Sequence, residues 1–324
     1  MHTRKKAGVI GKLLLVLLLL LVLLFSLLKI AQHTVASRRE KEVYSSKTVV
    51  HNGVEYYPRQ DIDVLLVMGI DEFGPVQASG SYNNEGEADT LLLLVFDHTE
   101  EKIHALNINR DTMARIPVLG LEGKLAGSIE GQLALAHTYG SGLEDSCENT
   151  RTAVSELLGG IAIEHYVAMN MDAIGILNDA VGGVTVTVTE DFGAGSDIPM
   201  GETVLRGQQA IDYVRLRKNV GDEKNISRME RQMDFVDGFF EAMQRKMDAD
   251  AMFVLDTYEA VSDYVVTDCS TTVLTSMLER YGGYALSPVR SLPGENRKGE
   301  RYMEFYVDEQ AKEELVLDLF YDPK

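Results

Sequence analysis

The sequence predicts an α/β fold: an α/β/α sandwich with a mixed central sheet, preceded by one N-terminal transmembrane helix. Three observations carry this. Residues 62–69 (IDVLLVMG) and 90–97 (TLLLLVFD) are near-continuous apolar runs bounded by turn residues, as expected of strands buried on both faces. Helical and strand periodicities alternate from about residue 149 onward. An uncharged run at 13–28 follows a basic start.

Taken in order, residues 1–12 carry Arg4, Lys5, Lys6 and Lys12 and read as a cytoplasmic basic tail. Residues 13–30 read as the anchor. The uncharged run is slightly short for a hydrocarbon core of roughly 30 Å, but Lys12 and Lys29 can snorkel while Val9 and Ile10 extend it. A cleaved signal peptide is the rival, with small residues at Val35, Ala36 and Ser37; the apolar core exceeds the usual ~7–15 residues of such a peptide. The positive-inside rule then leaves the N-terminus in the cytoplasm and the remainder outside a plasma membrane crossed once.

Residues 31–60 are polar with little periodicity and read as a stalk, which leaves 61–324 as the extracellular domain. After the two apolar strands, the polar turn 97–101 leads into KIHALNIN (102–109), an antiparallel partner for 90–97. NTRTAVSELLGG has Val154, Leu157 and Leu158 at helical spacing and a glycine pair at its end. EHYVAMN reads as a strand, MDAIGILNDAVGG as a helix, and VTVTVTED as a strand with strict alternation. Met229, Met233, Val236, Phe240 and Met243 recur at three and four and predict a helix over 226–247, with the methionines as core filler. Helices near 251–263 and 270–280, the strand RYMEFYV and the helix AKEELVLDLF close the chain.

The formal net charge of the 324 residues is −19. Residues 1–29 contribute five basic and no acidic side chains, so the part beyond them carries −24, a surface that repels nucleic acid. Cys147 and Cys269 could pair in an oxidising compartment or stay as two buried thiols; spacing leaves both open. No Cys/His cluster has zinc-ligand spacing.

Functional side chains of α/β sheets collect at strand ends. Asp71 follows the first strand, Asp89 precedes the second and Asp111 follows the third. A hairpin between the last two brings Asp89 near Arg110 and Asp111, and two such carboxylates suit Mg²⁺. A second group lies between Arg206 and Arg231, where seven basic residues face four acidic ones. Arg215 and Arg217 point the same way if that segment is extended, while Arg228, Arg231 and Gln232 share a helical face. Such guanidiniums suit phosphate oxygens, although a solvated helix pairing Arg with Glu accounts for the same spacing.

In order, GID at 69–71, ADTLLLLVFD at 88–97, NRDT at 109–112, Lys124, VGGVTV at 181–186, GQQAIDYVRLR at 207–217 and SRMERQ at 227–232 resemble the LytR-CpsA-Psr family over about residues 60–250. The resemblance implies a membrane-anchored, Mg²⁺-dependent phosphotransferase of Gram-positive cell wall biogenesis, with Mn²⁺ an alternative metal. Its donor is a polyprenyl pyrophosphate-linked glycan, a teichoic acid or capsule polysaccharide, which it joins to the peptidoglycan acceptor through a phosphodiester bond. It implies Mg²⁺ on Asp71 and Asp89, and pyrophosphate contacts from Arg110, Lys124, Arg215, Arg217, Arg228, Arg231 and Gln232. The catalytic set is then Asp89, Arg110 and Asp111, beside a hydrophobic cleft for the lipid. Three positions depart from the pattern: Phe73 and Glu87 stand where arginines are usual, and Ala126 where an asparagine is usual. These departures favour, as an alternative, a catalytically weak module that binds polyprenyl phosphate and presents precursors to a partner.

Overall fold

The computed structural model describes residues 47–120, 123–193, 196–216, 225–250 and 252–324. The tail at 1–12, the anchor at 13–30 and most of the stalk lie outside them, as does Arg217. Among the described residues no helix is long and apolar enough to cross a membrane.

The chain divides into two units, one reaching to Pro58 and the other covering 59–323. In the first, the segment read as stalk carries a hairpin, β1 (Val49–His51) and β2 (Val54–Pro58), paired His51↔Val54 through Val49↔Tyr56. Its turn is Asn52-Gly53, both at positive φ, the backbone that a two-residue hairpin loop requires.

The second unit is built on a mixed sheet. Strands β3 (Ile62–Ile70), β4 (Ala88–Asp97) and β5 (Lys102–Ile108) form an antiparallel meander. Strand β8 (His165–Asn170) lies parallel to β3, and β11 (Val265–Thr267) runs antiparallel outside β8. On the other side the short strands β12 (Ala285–Leu286) and β13 (Arg290–Ser291) run parallel to β5. The apolar runs of β3 and β4 reflect their central place, with Leu66, Met68, Leu91 and Leu93 wholly buried.

Successive residues of β4 face opposite sides. Leu92, Leu94 and Phe96 join Leu65, Ile103 and Tyr281 in one cluster, against which Val236 and Phe240 of α4 (Asn225–Ala249) and Met277 of α6 (Thr271–Tyr281) pack. Helix α1 (Glu144–Leu157) contacts β8 and a 3₁₀ helix, Leu133–Tyr139, which in turn contacts β4. Helix α2 (Met171–Ala180) is capped by Asn170, whose side chain accepts from the Ala173 N–H. Next comes the β9–β10 hairpin (Thr185–Val188, Gly201–Val204), where Val184, Val186 and Val188 are buried and Thr185 and Thr187 exposed, as the alternation predicts. These valines pack with α4 and with α3 (Gln208–Arg215). Helix α5 (Phe253–Val261), the hairpin β14–β15 (Gly294–Lys298, Met303–Val307) and α7 (Glu309–Phe320) complete the unit. Cys147 and Cys269 are both buried, free thiols.

The hairpin β6–β7 (Met113–Leu119, Leu125–Gln132) has no counterpart in the sequence reading. Leu125 and Ile129 of β7 are exposed, so the strand shows no apolar alternation. The segment around YVR is helical, not extended: Ala210, Ile211, Tyr213 and Val214 form one buried stripe of α3, and packing of that stripe decides the conformation.

At the opposite end of the sheet, Arg59 Nη2 contacts Asp97 Oδ2 at 2.7 Å and Asp61 Oδ2 at 2.8 Å. The Arg59 guanidinium holds the Asp61 carboxyl far below its usual range. Burial raises that of Asp97, but the Glu100 backbone N–H and Arg59 outweigh it and the net shift is downward. Depressed folded-state values stabilise fully above the unfolded pKa of about 3.9, and that stability is lost as pH falls below it. Urea unfolding at successive pH values should show a steep loss of stability below about pH 4, and Asp97→Asn should flatten that limb.

Candidate functional site

The site grows from an irregularity in β4. Gly69 pairs with Thr90 and Ile70 with Ala88, so Asp89 is the extra residue of a β-bulge. Gly69 permits this close pairing, since a Cβ there would lie 3.1 Å from the Cβ of Thr90. Just beyond, the Asp71 N–H donates to the Glu87 carbonyl at 3.1 Å, which sets Asp71 beside Glu87.

Arg110 comes from the turn after β5. The Asp111 N–H donates to Asn109 Oδ1 at 3.0 Å, and the Thr112 hydroxyl donates to the Asn109 carbonyl at 2.6 Å, so Asn109 fixes the loop. The Phe305 N–H of β15 donates to the Asp111 carbonyl at 2.8 Å and ties the loop from outside. The buried Arg110 guanidinium then pairs with Asp89 and Glu87, while its Nε lies 3.3 Å from Asp111 Oδ1. Asp111 also accepts from Gln132 Nε2 at 3.1 Å. Arg228, 2% exposed, reaches in from α4 and donates through Nη1 to Asp89 Oδ2 at 2.7 Å. Asp89 is thus gripped by two guanidiniums with hardly any solvent contact.

Asp71 is held differently. Arg215, the last residue of α3, donates through Nε to Asp71 Oδ1 at 3.1 Å, and both side chains are partly exposed. The Arg215 Cζ lies 5.1 Å from the centroid of the Phe73 ring, so the aromatic residue at one departing position supports a guanidinium by a cation–π contact. Glu87, at the other, anchors Arg110.

Arg231 and Gln232 do other work. Arg231 donates through Nε to the Tyr213 carbonyl at 2.9 Å, donates through Nη2 to the Leu216 carbonyl and pairs with Glu190. Gln232 donates to the Val214 carbonyl at 3.2 Å. They satisfy the carbonyls that the end of α3 leaves open, and so aim Arg215. Lys124 sits, exposed, at the turn end of β6–β7, whereas Gln132 closes the other end of the hairpin opposite Met113. The neighbouring Gly123 faces the Tyr82 ring of the loop between Asp71 and Glu87, where a Cβ would lie 3.1 Å from it. Gln132, Glu87 and Phe73 belong to the site, and only the last two drew notice in the sequence, as departures.

The loop between Asp71 and Glu87 is pinned from behind. Buried Asn84 donates to the carbonyls of His137 at 2.8 Å and Gly140 at 2.9 Å and accepts from the Gly86 N–H at 2.8 Å. His137, whose pKa burial lowers, contacts the Gly86 carbonyl through Nδ1 at 2.8 Å.

An apolar cavity of about 410 Å³ lies beside the cluster. Its sheet wall is Leu65, Val67, Leu92 and Leu94, its helical wall includes Phe235, Phe239 and Met243, and Gly69, Thr90 and Gln232 line it next to Asp89. Met243, Met247 and Met277 pack on the core and also line this space, where flexible thioethers suit an adaptable wall.

The chain matches the LytR_cpsA_psr family over residues 24–319. It belongs to that family. It is 31% identical over 229 residues, 70% of this chain and 67% of the relative, to the polyisoprenyl-teichoic acid–peptidoglycan teichoic acid transferase TagU of Halalkalibacterium halodurans. The TagU of Oceanobacillus iheyensis is 27% identical over 233 residues, 71% of this chain and 66% of that protein. The chain thus spans about two thirds of the length of these relatives. In fold it is similar to the crystal structure of Bacillus subtilis TagV, with a TM-score of 0.61, 23% identity and coverage of 81% of this chain and 96% of that one. In this LytR_cpsA_psr member Glu87 pairs with Arg110 and the Phe73 ring lies under Arg215.

Proposed function

We propose that this LytR_cpsA_psr member transfers a polyprenyl pyrophosphate-linked glycopolymer, a teichoic acid or a capsule-type polysaccharide, onto peptidoglycan through a phosphodiester bond. The observation that carries the reading is the juxtaposition of the Asp89–Arg110–Arg228 cluster with the end of an apolar cavity. That arrangement suits a donor with a charged head and an isoprenoid tail, and the names of the TagU relatives support it. The single-pass anchor over residues 13–30, with the N-terminus cytoplasmic and the domain outside, belongs to the same proposal.

Phosphoryl transfer calls for positioned donors and neutralised charge more than for a protein nucleophile. Arg110, Arg215 and Arg228 hold the pyrophosphate. Arg231 and Gln232 act through α3, and Asp111 with Gln132 orients Arg110. The acceptor hydroxyl oxygen bonds to the glycan-linked phosphorus, the bond from that phosphorus to the bridging oxygen breaks, and polyprenyl phosphate leaves while the hydroxyl proton passes to solvent. Asp89 has guanidiniums on both oxygens, so its part is to hold them in register. Asp71, held by one guanidinium and partly exposed, is the carboxylate that would hold Mg²⁺ or Mn²⁺ together with phosphate oxygens, and Asp89 would join it only on releasing Arg110 or Arg228. Such an ion, when bound, offsets charge on the phosphate oxygens.

Glu87 on Arg110 and Phe73 on Arg215 favour a second reading, a module that binds the lipid and passes it on. The test uses full-length protein extracted from bacterial membranes in detergent. Mass spectrometry should find co-purified polyprenyl phosphate, and added lipid-pyrophosphate sugar with a glycan acceptor should be consumed when Mg²⁺ is present. Binding without consumption selects the module; absence of the lipid overturns both.

A further inference from the structure

At the far edge of the sheet a second polar cluster takes no part in this chemistry. The register of β11 on β8 (Thr267↔Val167) continues to set Asp268 opposite Tyr166 and Cys269 opposite His165. The Tyr166 N–H donates to Asp268 Oδ1 at 2.9 Å, which leaves Oδ2 directed to His165 Nδ1 at 3.4 Å. Cys269 Sγ lies 3.8 Å from Asp268 Oδ1. One ligand atom from each of the three side chains lies within 4.8 Å of the other two.

The spacing separates an ion pair from a metal site. A charge-assisted N–H···O bond closes to about 2.7–2.9 Å, whereas Nδ1 and Oδ2 stand 3.4 Å apart and the buried Nδ1 meets no partner at hydrogen-bond geometry among the described residues. Donors bound to one tetrahedral ion at about 2.0–2.2 Å stand about 3.4 Å apart, the separation found here. The Asp268 and Cys269 side chains are almost fully buried while His165 keeps one edge in solvent, so there is a way in. A carboxylate, a thiolate and a neutral imidazole carry two negative charges, which a divalent ion cancels, and sulfur with nitrogen suits zinc and not magnesium. The superficially similar group Asp97, Glu100 and His104 already has its cation in Arg59.

We propose that His165, Asp268 and Cys269 bind Zn²⁺ or a cation of like chemistry, with a water as fourth ligand. Its consequence is mechanical. Strand β11 has only three residues, and Ser270 directly after the ligands caps α6, its Oγ accepting from the Val273 N–H at 3.3 Å. That helix brings Leu274, Met277 and Tyr281 to the apolar cavity. The ion ties the cavity's outer wall to the sheet.

The test uses full-length protein stripped with a chelator and titrated with Co²⁺ and then Zn²⁺. One Co²⁺ per chain should bind with a thiolate-to-cobalt charge-transfer band, Zn²⁺ should displace it, and excess Mg²⁺ should not. Cys269→Ser should abolish the band. His165→Gln, altered at a partly exposed edge and so safe for folding, should weaken binding at least tenfold. Cys147→Ser should change neither, and Zn²⁺ should raise the melting temperature of wild type and Cys147→Ser alone. Cobalt binding without the band, an unchanged titration in His165→Gln, or a Cys147–Cys269 disulfide in the unreduced protein overturns the proposal.

Discussion

Asp89→Ala should abolish glycopolymer transfer and also destabilise the fold by roughly 3–5 kcal/mol, because it leaves two buried guanidiniums without their shared partner. Arg110 and Arg228 are 9% and 2% exposed, so neither can recover its hydration without moving. Urea unfolding gives the stability term and a transfer assay the functional one. Arg228→Met in the Asp89→Ala background removes one stranded charge and should restore part of the stability with none of the activity. If Asp89→Ala unfolds at the wild-type urea midpoint, the ion-pair account of the cluster is wrong. If it still transfers, the proposed site is wrong.

Leu92→Trp should empty the apolar cavity of lipid while leaving the ion-pair cluster intact. Leu92 lies on the cavity side of β4, so the larger ring fills space now bounded by Phe235 and Phe239. Overpacking commonly costs about 1–3 kcal/mol, but here a void of about 410 Å³ takes up the added atoms. The melting temperature should stay near wild type as co-purified polyprenyl phosphate falls at least tenfold, about 1.4 kcal/mol of binding. Undiminished lipid in this variant would move the tail elsewhere on the protein.

The parts of the fold legible in the sequence are those where burial alone decides. Strands β3 and β4 announce themselves because both faces are covered, and α4 because one stripe is apolar. The β6–β7 hairpin is silent because its outer strand is exposed and its pairing is satisfied by backbone. At the site, the clustering of Asp89, Arg110 and Asp111 follows from the hairpin of β4 and β5. The spacing of Arg228, Arg231 and Gln232 fixes their common side of a helix but not what they touch. Arg228 reaches Asp89, whereas the open carbonyls of α3 claim the other two, and only tertiary packing reveals that. Lys124 rests on the resemblance alone.

The extra residue in β4 has one more effect. Thr90, Leu92, Leu94 and Phe96 share the cavity side, and strict alternation would send Asp89 to the other side with Leu91 and Leu93. The kink turns it back toward the helix that carries Arg228. A single strand therefore carries an acid at its tip and an apolar wall along its length. Deleting one residue there would restore strict alternation and turn the strand's tip away from the apolar wall.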